Sequence, residues 1–112
     1  MSYLPKNAYT GQLGTSATLL YTAPANTRAM VSKCIVANDT TTVPTFTFYK
    51  VPSGGSAGVT NLVVNGRSLG DSKSDIVSEL EGAYLDPGDM IYGLASVASQ
   101  VTCHLDVLEL VV

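Results

Sequence analysis

The chain has no tryptophan, one histidine, two cysteines and little charge. Charged side chains make up 13% of its 112 residues, against roughly 25% in ordinary soluble domains. A catalytic centre needs a base, a nucleophile and an orienting group within reach of one another, and His104 is the only histidine that could serve as the base. We therefore expect a protein without enzymatic activity and without a cofactor.

Positive charge is also scarce and is spread along the chain. The net charge is −3, and no basic stripe with interleaved aromatic residues, as expected of a nucleic-acid binder, is present. The acidic balance disfavours binding to anionic lipid, and no apolar run approaches the roughly 20 residues that span a bilayer. The N-terminal sequence MSYLPKNAYTGQ lacks the charged start and apolar core of a signal peptide. We expect synthesis in a cytoplasm, and neither nucleic acid nor a membrane as a partner.

Both cysteines lie in apolar, alternating runs. This setting favours Cys34 and Cys103 as small buried hydrophobic residues. A disulfide would require that their two strands be neighbours, and a reducing cytoplasm disfavours it. Because there is no CxxC motif and the one histidine adjoins Cys103, we expect no metal site.

β-branched residues dominate what is present, since valine and threonine together account for 25 residues. Both types favour pleated surfaces. Apolar and alternating runs, bounded by turn residues, predict about eight short strands, and the pattern is typical of an antiparallel β-sandwich that is jelly-roll-like. The predicted strands are residues 7–13, 16–23, 28–38, 43–51, 61–65, 75–85, 90–96 and 101–112. The segment 75–85 fits a short helix as well as a strand, and the surrounding strands favour a strand.

The alternation also predicts which side chains form the core. Phe46 and Phe48 fall on one face of their strand, and we assign them to the core. Residues 28–38 are apolar on both faces, with Met30, Cys34 and Val36 sharing one of them, which predicts a central strand covered on both sides. Asp-Pro-Gly-Asp at 86–89 predicts a tight turn.

The two ends of the chain are the predicted contact regions. Leu4-Pro5 interrupts regular pairing, so residues 1–8 are predicted to form an N-terminal arm and residues 9–112 a single β-sandwich domain. The last strand becomes apolar on both faces, and such an end must be buried inside the sandwich or against another subunit. Either end could add a strand to a neighbour's sheet. The candidate interaction residues are Tyr3, Leu4, Tyr9, Leu108, Leu110 and Val112.

One histidine-based alternative deserves consideration. His104 and Asp106 share a strand face about 7 Å apart, so the carboxylate could orient the imidazole of a small hydrolase. No serine lies in a GxSxG elbow, and a histidine exposed on a strand explains the pattern as well. The interpretation as a surface histidine is favoured.

Three stretches resemble small virion proteins of tailed bacteriophages. They are Tyr21-Thr-Ala-Pro-Ala-Asn-Thr-Arg-Ala, Phe48-Tyr-Lys-Val-Pro-Ser-Gly-Gly and Leu85-Asp-Pro-Gly-Asp, and the resemblance extends over residues 15–110. The family comprises jelly-roll cement or decoration proteins that sit on capsids, and related neck and tail pieces. No site residue is transferred by it, because the shared motifs are turns and strand ends.

The resemblance implies a non-enzymatic structural role. The protein would be made in the host bacterial cytoplasm, form a homo-oligomer (a dimer or trimer), and stabilise the assembled phage capsid from its exterior. Its partners would be the major capsid protein or other virion subunits. The alternative is a tip or fibre that binds a receptor or carbohydrate, or a neck-tail component of a phage virion.

Overall fold

A computed structural model describes residues 3–111, which form nine β-strands and no α-helix. No helix among these residues is of a length and apolarity that would cross a bilayer. A 3-10 turn at Val59–Asn61 precedes β5. The strands are β1 (Tyr3–Gln12), β2 (Thr18–Thr22), β3 (Thr27–Ala37), β4 (Thr45–Val51), β5 (Leu62–Ser68), β6 (Ser74–Ile76), β7 (Tyr84–Leu85), β8 (Met90–Ala95) and β9 (Thr102–Val111).

The strands form two antiparallel sheets packed as a sandwich. Sheet A has the order β1-β9-β3-β6, with β7 also paired to β3, and sheet B has the order β2-β8-β4-β5. Apart from β4 and β5, neighbouring strands are not consecutive in the chain, and this strand order is that of a jelly roll built from two Greek keys. The predicted fold class is confirmed. The structure has nine strands where we expected about eight, because residues 75–85 contribute two short strands.

The core lies between the inner faces of the two sheets. Phe46 and Phe48 are fully buried, with ring centroids 5.9 Å apart at an interplanar angle of 65°, an edge-to-face contact. In β9 inward and outward residues alternate, and the inward ones are fully buried. They are Cys103, Leu105 and Val107, continued by Val101 just before the strand.

A β-bulge in β3 changes which of its residues face the core. Val31 pairs with Val107 whereas Lys33 pairs with Asp106, so one extra residue lies between them. The inward residues are Ala29 and Val31 before the bulge, and Cys34 and Val36 after it. The expectation that Met30 shares a face with Cys34 and Val36 is wrong, because a bulge reverses the alternation. Met30 points outward.

β3 is central in its sheet, but the described residues cover it on one face only. It lies between β9 on one side and β6 with β7 on the other. A two-layer sandwich covers the inner face of each sheet and leaves the outer face uncovered. The outward Met30 and Ile35 are therefore only half-buried, and the prediction of cover on both sides is wrong for residues 3–111.

The start of the chain also differs from the expectation. Residues from Tyr3 onward pair with β9, with Pro5 opposite Leu108, so Pro5 does not prevent regular pairing. β1 is an edge strand, and an edge strand tolerates proline because one of its sides makes no ladder hydrogen bonds. The division into an arm at residues 1–8 and a domain at residues 9–112 stays a prediction, and residues 1–2 lie outside the described part of the chain.

Residues 77–83 form a turn between β6 and β7. Leu80 N–H donates to the carbonyl of Val77 at 3.1 Å, and Ala83 N–H donates to the carbonyl of Leu80 at 3.0 Å. These successive three-residue steps explain the helix-like spacing of apolar residues, since Val77 and Leu80 are fully buried. The strand predicted at residues 75–85 is confirmed only at residues 75–76 and 84–85.

The two cysteines lie on neighbouring strands. Cys34 is opposite Leu105 and Cys103 is opposite Val36, so the two thiols are diagonal neighbours on the inner face of sheet A. Both are free and fully buried. The neighbouring Cys103 thiol and burial raise the pKa of the Cys34 thiol well above its usual value.

The predicted turn at residues 86–89 is confirmed. Asp89 N–H donates to the carbonyl of Asp86 at 3.0 Å, and Gly88 has a φ of 87°, which glycine adopts without strain. The Asp89 carboxylate accepts from the N–H groups of Asp86 and Ser53, each at 3.0 Å. A Cβ at Gly88 would lie 2.5 Å from Ser53 Oγ. Position 88 therefore requires glycine, because its φ is positive and because a Cβ there would collide with Ser53.

Gly88→Ala should destabilise the protein by about 1–3 kcal/mol, because a non-glycine residue is strained at this φ and its Cβ meets Ser53. Urea unfolding measures the change. Gly14→Ala is the control, since a Cβ there meets nothing within 4 Å, and its effect should stay within about 0.5 kcal/mol. Equal effects of the two variants would contradict the requirement for glycine at position 88.

Native protein should react with a thiol reagent on the order of a hundredfold more slowly than unfolded protein, because both thiols are fully buried and labelling needs an opening of the core. The raised pKa of Cys34 lowers its thiolate fraction further. Mass spectrometry should find two labels per chain in denaturant and none in brief native labelling. Rapid native labelling, or fewer than two labels after unfolding, would show that the thiols are accessible or oxidised.

Candidate functional site

Apolar side chains gather at one end of the outer face of sheet A. Two cross-strand rows form this end, because residues directly opposite one another in a sheet point to the same face. One row contains Tyr3, Leu110 and Arg28, and the other contains Pro5, Leu108, Met30 and Tyr84. We call the apolar members the outer patch: Tyr3, Pro5, Met30, Tyr84, Leu108 and Leu110.

The outer patch is exposed and concave. Tyr3 and Tyr84 are 63% and 73% exposed, and together with Met30, Leu108 and Leu110 they line a surface cavity of about 370 Å³. Tyrosine and methionine are enriched at protein interfaces, and contiguous apolar surface on a soluble domain marks an interaction site. This end of sheet A is the candidate functional site.

Charged and polar groups border the patch. Arg28 Nε lies 3.6 Å from Asp86 Oδ1, with both side chains exposed. On the other border Asn7 Nδ2 donates to Asp106 Oδ1 at 2.9 Å. An apolar centre with a polar rim is the usual anatomy of a protein–protein interface.

A partly buried carboxylate, that of Glu109, holds β1 in place beneath the patch. The Tyr21 hydroxyl donates to Glu109 Oε2 at 2.5 Å, and Lys6 Nζ lies 3.6 Å from the same oxygen and 5.9 Å from the Tyr21 ring centroid. Burial, and then the hydrogen bond to Glu109, raise the pKa of Tyr21 well above its usual value. The cluster joins β1, β2 and β9, and thereby positions the half of β1 that carries Tyr3.

The structure brings together three of the six candidate interaction residues. Tyr3, Leu108 and Leu110 all belong to the outer patch. Leu4 is 54% exposed but lies opposite Glu109, on the other face of the sheet.

The other two candidate residues lie elsewhere. Tyr9 is turned inward by a bulge between Asn7 and Tyr9, and it packs half-buried against the core. Val112 lies outside the described residues. A role of any of the six in association stays a prediction.

Sequence reasoning missed Pro5, Met30 and Tyr84. A usable signal for Met30 was present, because a strand that is apolar on both faces within a two-layer sandwich must expose one apolar face. Tyr84 lies in the segment whose structure was ambiguous, so no face could be assigned to it. Pro5 was interpreted as a break in pairing.

The described residues offer little for catalysis. His104 is exposed on the outer face of sheet A, opposite Thr10 and Ile35. The Asp106 carboxylate, which was the candidate to orient it, accepts a hydrogen bond from Asn7. Within residues 3–111 no group of three or more His, Cys, Asp or Glu side chains could hold a metal ion. The arrangement is suited to binding.

Comparisons with known proteins bear on the fold. No family model matches the sequence, and no curated protein matches it. Among solved structures, a chain in "Structure of infectious bursal disease virus Gx strain" matches with a TM-score of 0.52 and 13% identity, over 96% of this chain and 31% of that one. The protein thus spans about a third of the length of the viral chain it matches. The likeness concerns the fold alone, a β-sandwich of two antiparallel sheets.

Ionisation of the Tyr21 hydroxyl should lower the stability of the protein at alkaline pH. Its folded pKa lies above its unfolded value of 10.0, so this contribution is fully present below about pH 10 and is lost as the pH rises further. Tyr21→Phe should lower the melting temperature at pH 7, through loss of the bond to Glu109, and flatten the decline in alkali. Melting curves at about pH 7 and about pH 11 test this, with each protein at neutral pH as its own control. If the melting temperature of Tyr21→Phe fell in alkali as much as that of the wild type, Tyr21 would make no contribution to the pH dependence.

Proposed function

We propose that this protein is a non-enzymatic virion structural protein, a cement or decoration protein that binds and stabilises an assembled phage capsid. The observation that carries the proposal is the outer patch, an exposed apolar and tyrosine-rich surface on a jelly roll. The viral origin of a chain with a similar fold agrees with a virion role. The site of synthesis is the host bacterial cytoplasm, and the site of action is the capsid exterior.

The patch supplies what a stabilising subunit needs. A protein that binds the assembled shell, and does not bind its separated subunits, shifts the equilibrium toward the shell. Burial of Tyr3, Tyr84 and Leu108 against a partner would remove apolar surface from water at roughly 25 cal/mol per Å². The exposed Arg28–Asp86 pair at the rim would orient that partner.

The partner is the major capsid protein or another virion subunit. Tyr3, Leu108 and Leu110 of the patch were expected as contacts from the sequence, and Met30 and Tyr84 extend the same surface. The N-terminal half of β1 contributes to this surface as a paired strand, which makes a free arm unnecessary for contact.

A receptor- or carbohydrate-binding tip, or another neck-tail component, is the alternative. One observation favours sugar binding: the exposed rings of Tyr3 and Tyr84 line the same cavity of about 370 Å³, and aromatic rings offer apolar faces to ligands. Specific binding on a glycan array, abolished by Tyr84→Ala, would favour this alternative over a capsid role.

The proposal is tested on particles of the virus that encodes the chain. Particles lacking the protein should open at a lower temperature than complete particles, and adding purified protein should restore the difference. Leu108→Ser and Tyr84→Ser should bind such particles about tenfold or more weakly in cosedimentation, because central apolar and tyrosine contacts dominate interface energetics. These point variants are preferable to removal of residues 1–8, which would also remove more than half of β1.

Val59→Ser is the matched control. Val59 is 84% exposed and lies in the 3-10 turn before β5, away from the outer patch, so its replacement should leave particle binding unchanged. Absence of the protein from purified particles would refute the proposal, and so would equal binding of Leu108→Ser and wild type.

A further inference from the structure

The outer face of sheet B carries a second apolar surface. Leu19, Tyr92, Tyr49 and Leu62 lie opposite one another across β2, β8, β4 and β5, and we call these four residues the tyrosine row. Leu19 is 46% exposed and the other three are half-buried. The row crosses the whole sheet.

The alternation of β8 shows that the row points away from the core. Tyr92 lies between Ile91, which is fully buried, and Gly93. A Cβ at Gly93 would lie 3.0 Å from both Leu20 and Phe48, so position 93 faces the core. Tyr92 therefore projects to the other side, and Met90 and Leu94 project there with it.

This face carries no charge at the outward positions of the four strands that the structure describes. Besides the row, these positions hold Thr22, Thr45, Thr47, Val51, Ser68, Met90 and Leu94, of which Thr47 and Val51 are buried. Lys50 alternates with Tyr49 and so belongs to the opposite face. The outer patch of sheet A differs, because Arg28 lies in one of its two rows.

The absence of charge favours one kind of partner. In a two-fold contact a surface meets its own copy, so a charged side chain near the axis meets a like charge. A neutral surface avoids this repulsion, and tyrosine buries a large area at low entropic cost. A second copy of this chain is thus the partner that this face fits best.

We propose that two copies of the chain associate through their tyrosine rows, related by a two-fold axis. The row and the outer patch lie on opposite faces of the sandwich, so this dimer leaves both outer patches free. The inference stands apart from the proposed capsid role, since it concerns the isolated protein.

Sedimentation equilibrium of the purified protein tests the dimer. Wild-type protein should be dimeric at about 0.2 mM, which would populate a dimer with a micromolar dissociation constant. Tyr49→Glu and Tyr49→Lys should each raise the dissociation constant about tenfold or more. Mixing the two variants should restore association, because opposite charges then meet across the axis. A monomeric wild type would overturn the proposal, and a mixture that remains monomeric would overturn the two-fold arrangement.

Leu19→Ser is a milder variant at the edge of the row, and it should also weaken the dimer while leaving the circular dichroism spectrum unchanged. Leu108→Ser, on the opposite sheet, should leave the dimer intact. Association that survives both Tyr49→Glu and Leu19→Ser would place the contact elsewhere and refute the proposal. A dimer that does not bind particles would contradict the capsid role alone, and a monomer that binds them would contradict this interface alone.

Discussion

The double pairing of β9 determines the direction of every side chain in sheet A. β1 and β3 pair with β9 on its two sides, and both are bulged at the level of Asp106, between Asn7 and Tyr9 in β1 and between Val31 and Lys33 in β3. Each bulge sets two residues opposite one and reverses the alternation of its strand. Because both bulges lie beside Asp106, the inward residues of β1, β9 and β3 still lie opposite one another before and after it. The core therefore continues past Asp106, and the outward apolar residues collect at one end.

A two-layer sandwich imposes the second constraint, since it buries one face of each sheet and leaves the other uncovered. Apolar residues at outward positions therefore do not take part in core packing. Met30 and Leu108 on sheet A, and Tyr49 and Tyr92 on sheet B, occupy such positions. Because charged residues make up only 13% of the chain, few charged side chains are present on these faces. The low charge of the sequence thus accounts for the apolar character of both outer faces.

The sequence predicted the fold class and much of the core, because alternation is a local property that survives wherever a strand is regular. Phe46 and Phe48 were assigned correctly for this reason. The prediction of inward and outward residues failed where a bulge inserts one residue into a strand, as in β3. A bulge arises from pairing with a distant strand, and a local pattern does not reveal it. The same limit applied to the predicted contact residues. Tyr3 and Leu108 lie together on the outer patch, whereas a bulge turns Tyr9 inward, where it packs half-buried against the core. Pro5 is tolerated because β1 is an edge strand, and whether a strand lies at an edge is likewise a property of the whole sheet.

The two outer faces differ in shape and charge, and the partners proposed for them differ accordingly. The outer patch includes a cavity and a charged rim with Arg28 and Asp86, features that suit a partner of complementary shape and opposite charge. The tyrosine row is neutral and suits a copy of itself. A two-fold pair would then present two outer patches, and binding of the first would raise the effective concentration of the second. Modest affinity at each patch would suffice for stable attachment to a shell with many equivalent sites. The contacts of Glu109 with Tyr21 and Lys6 contribute to this by fixing β1, because fraying of this strand would remove Tyr3 from the outer patch.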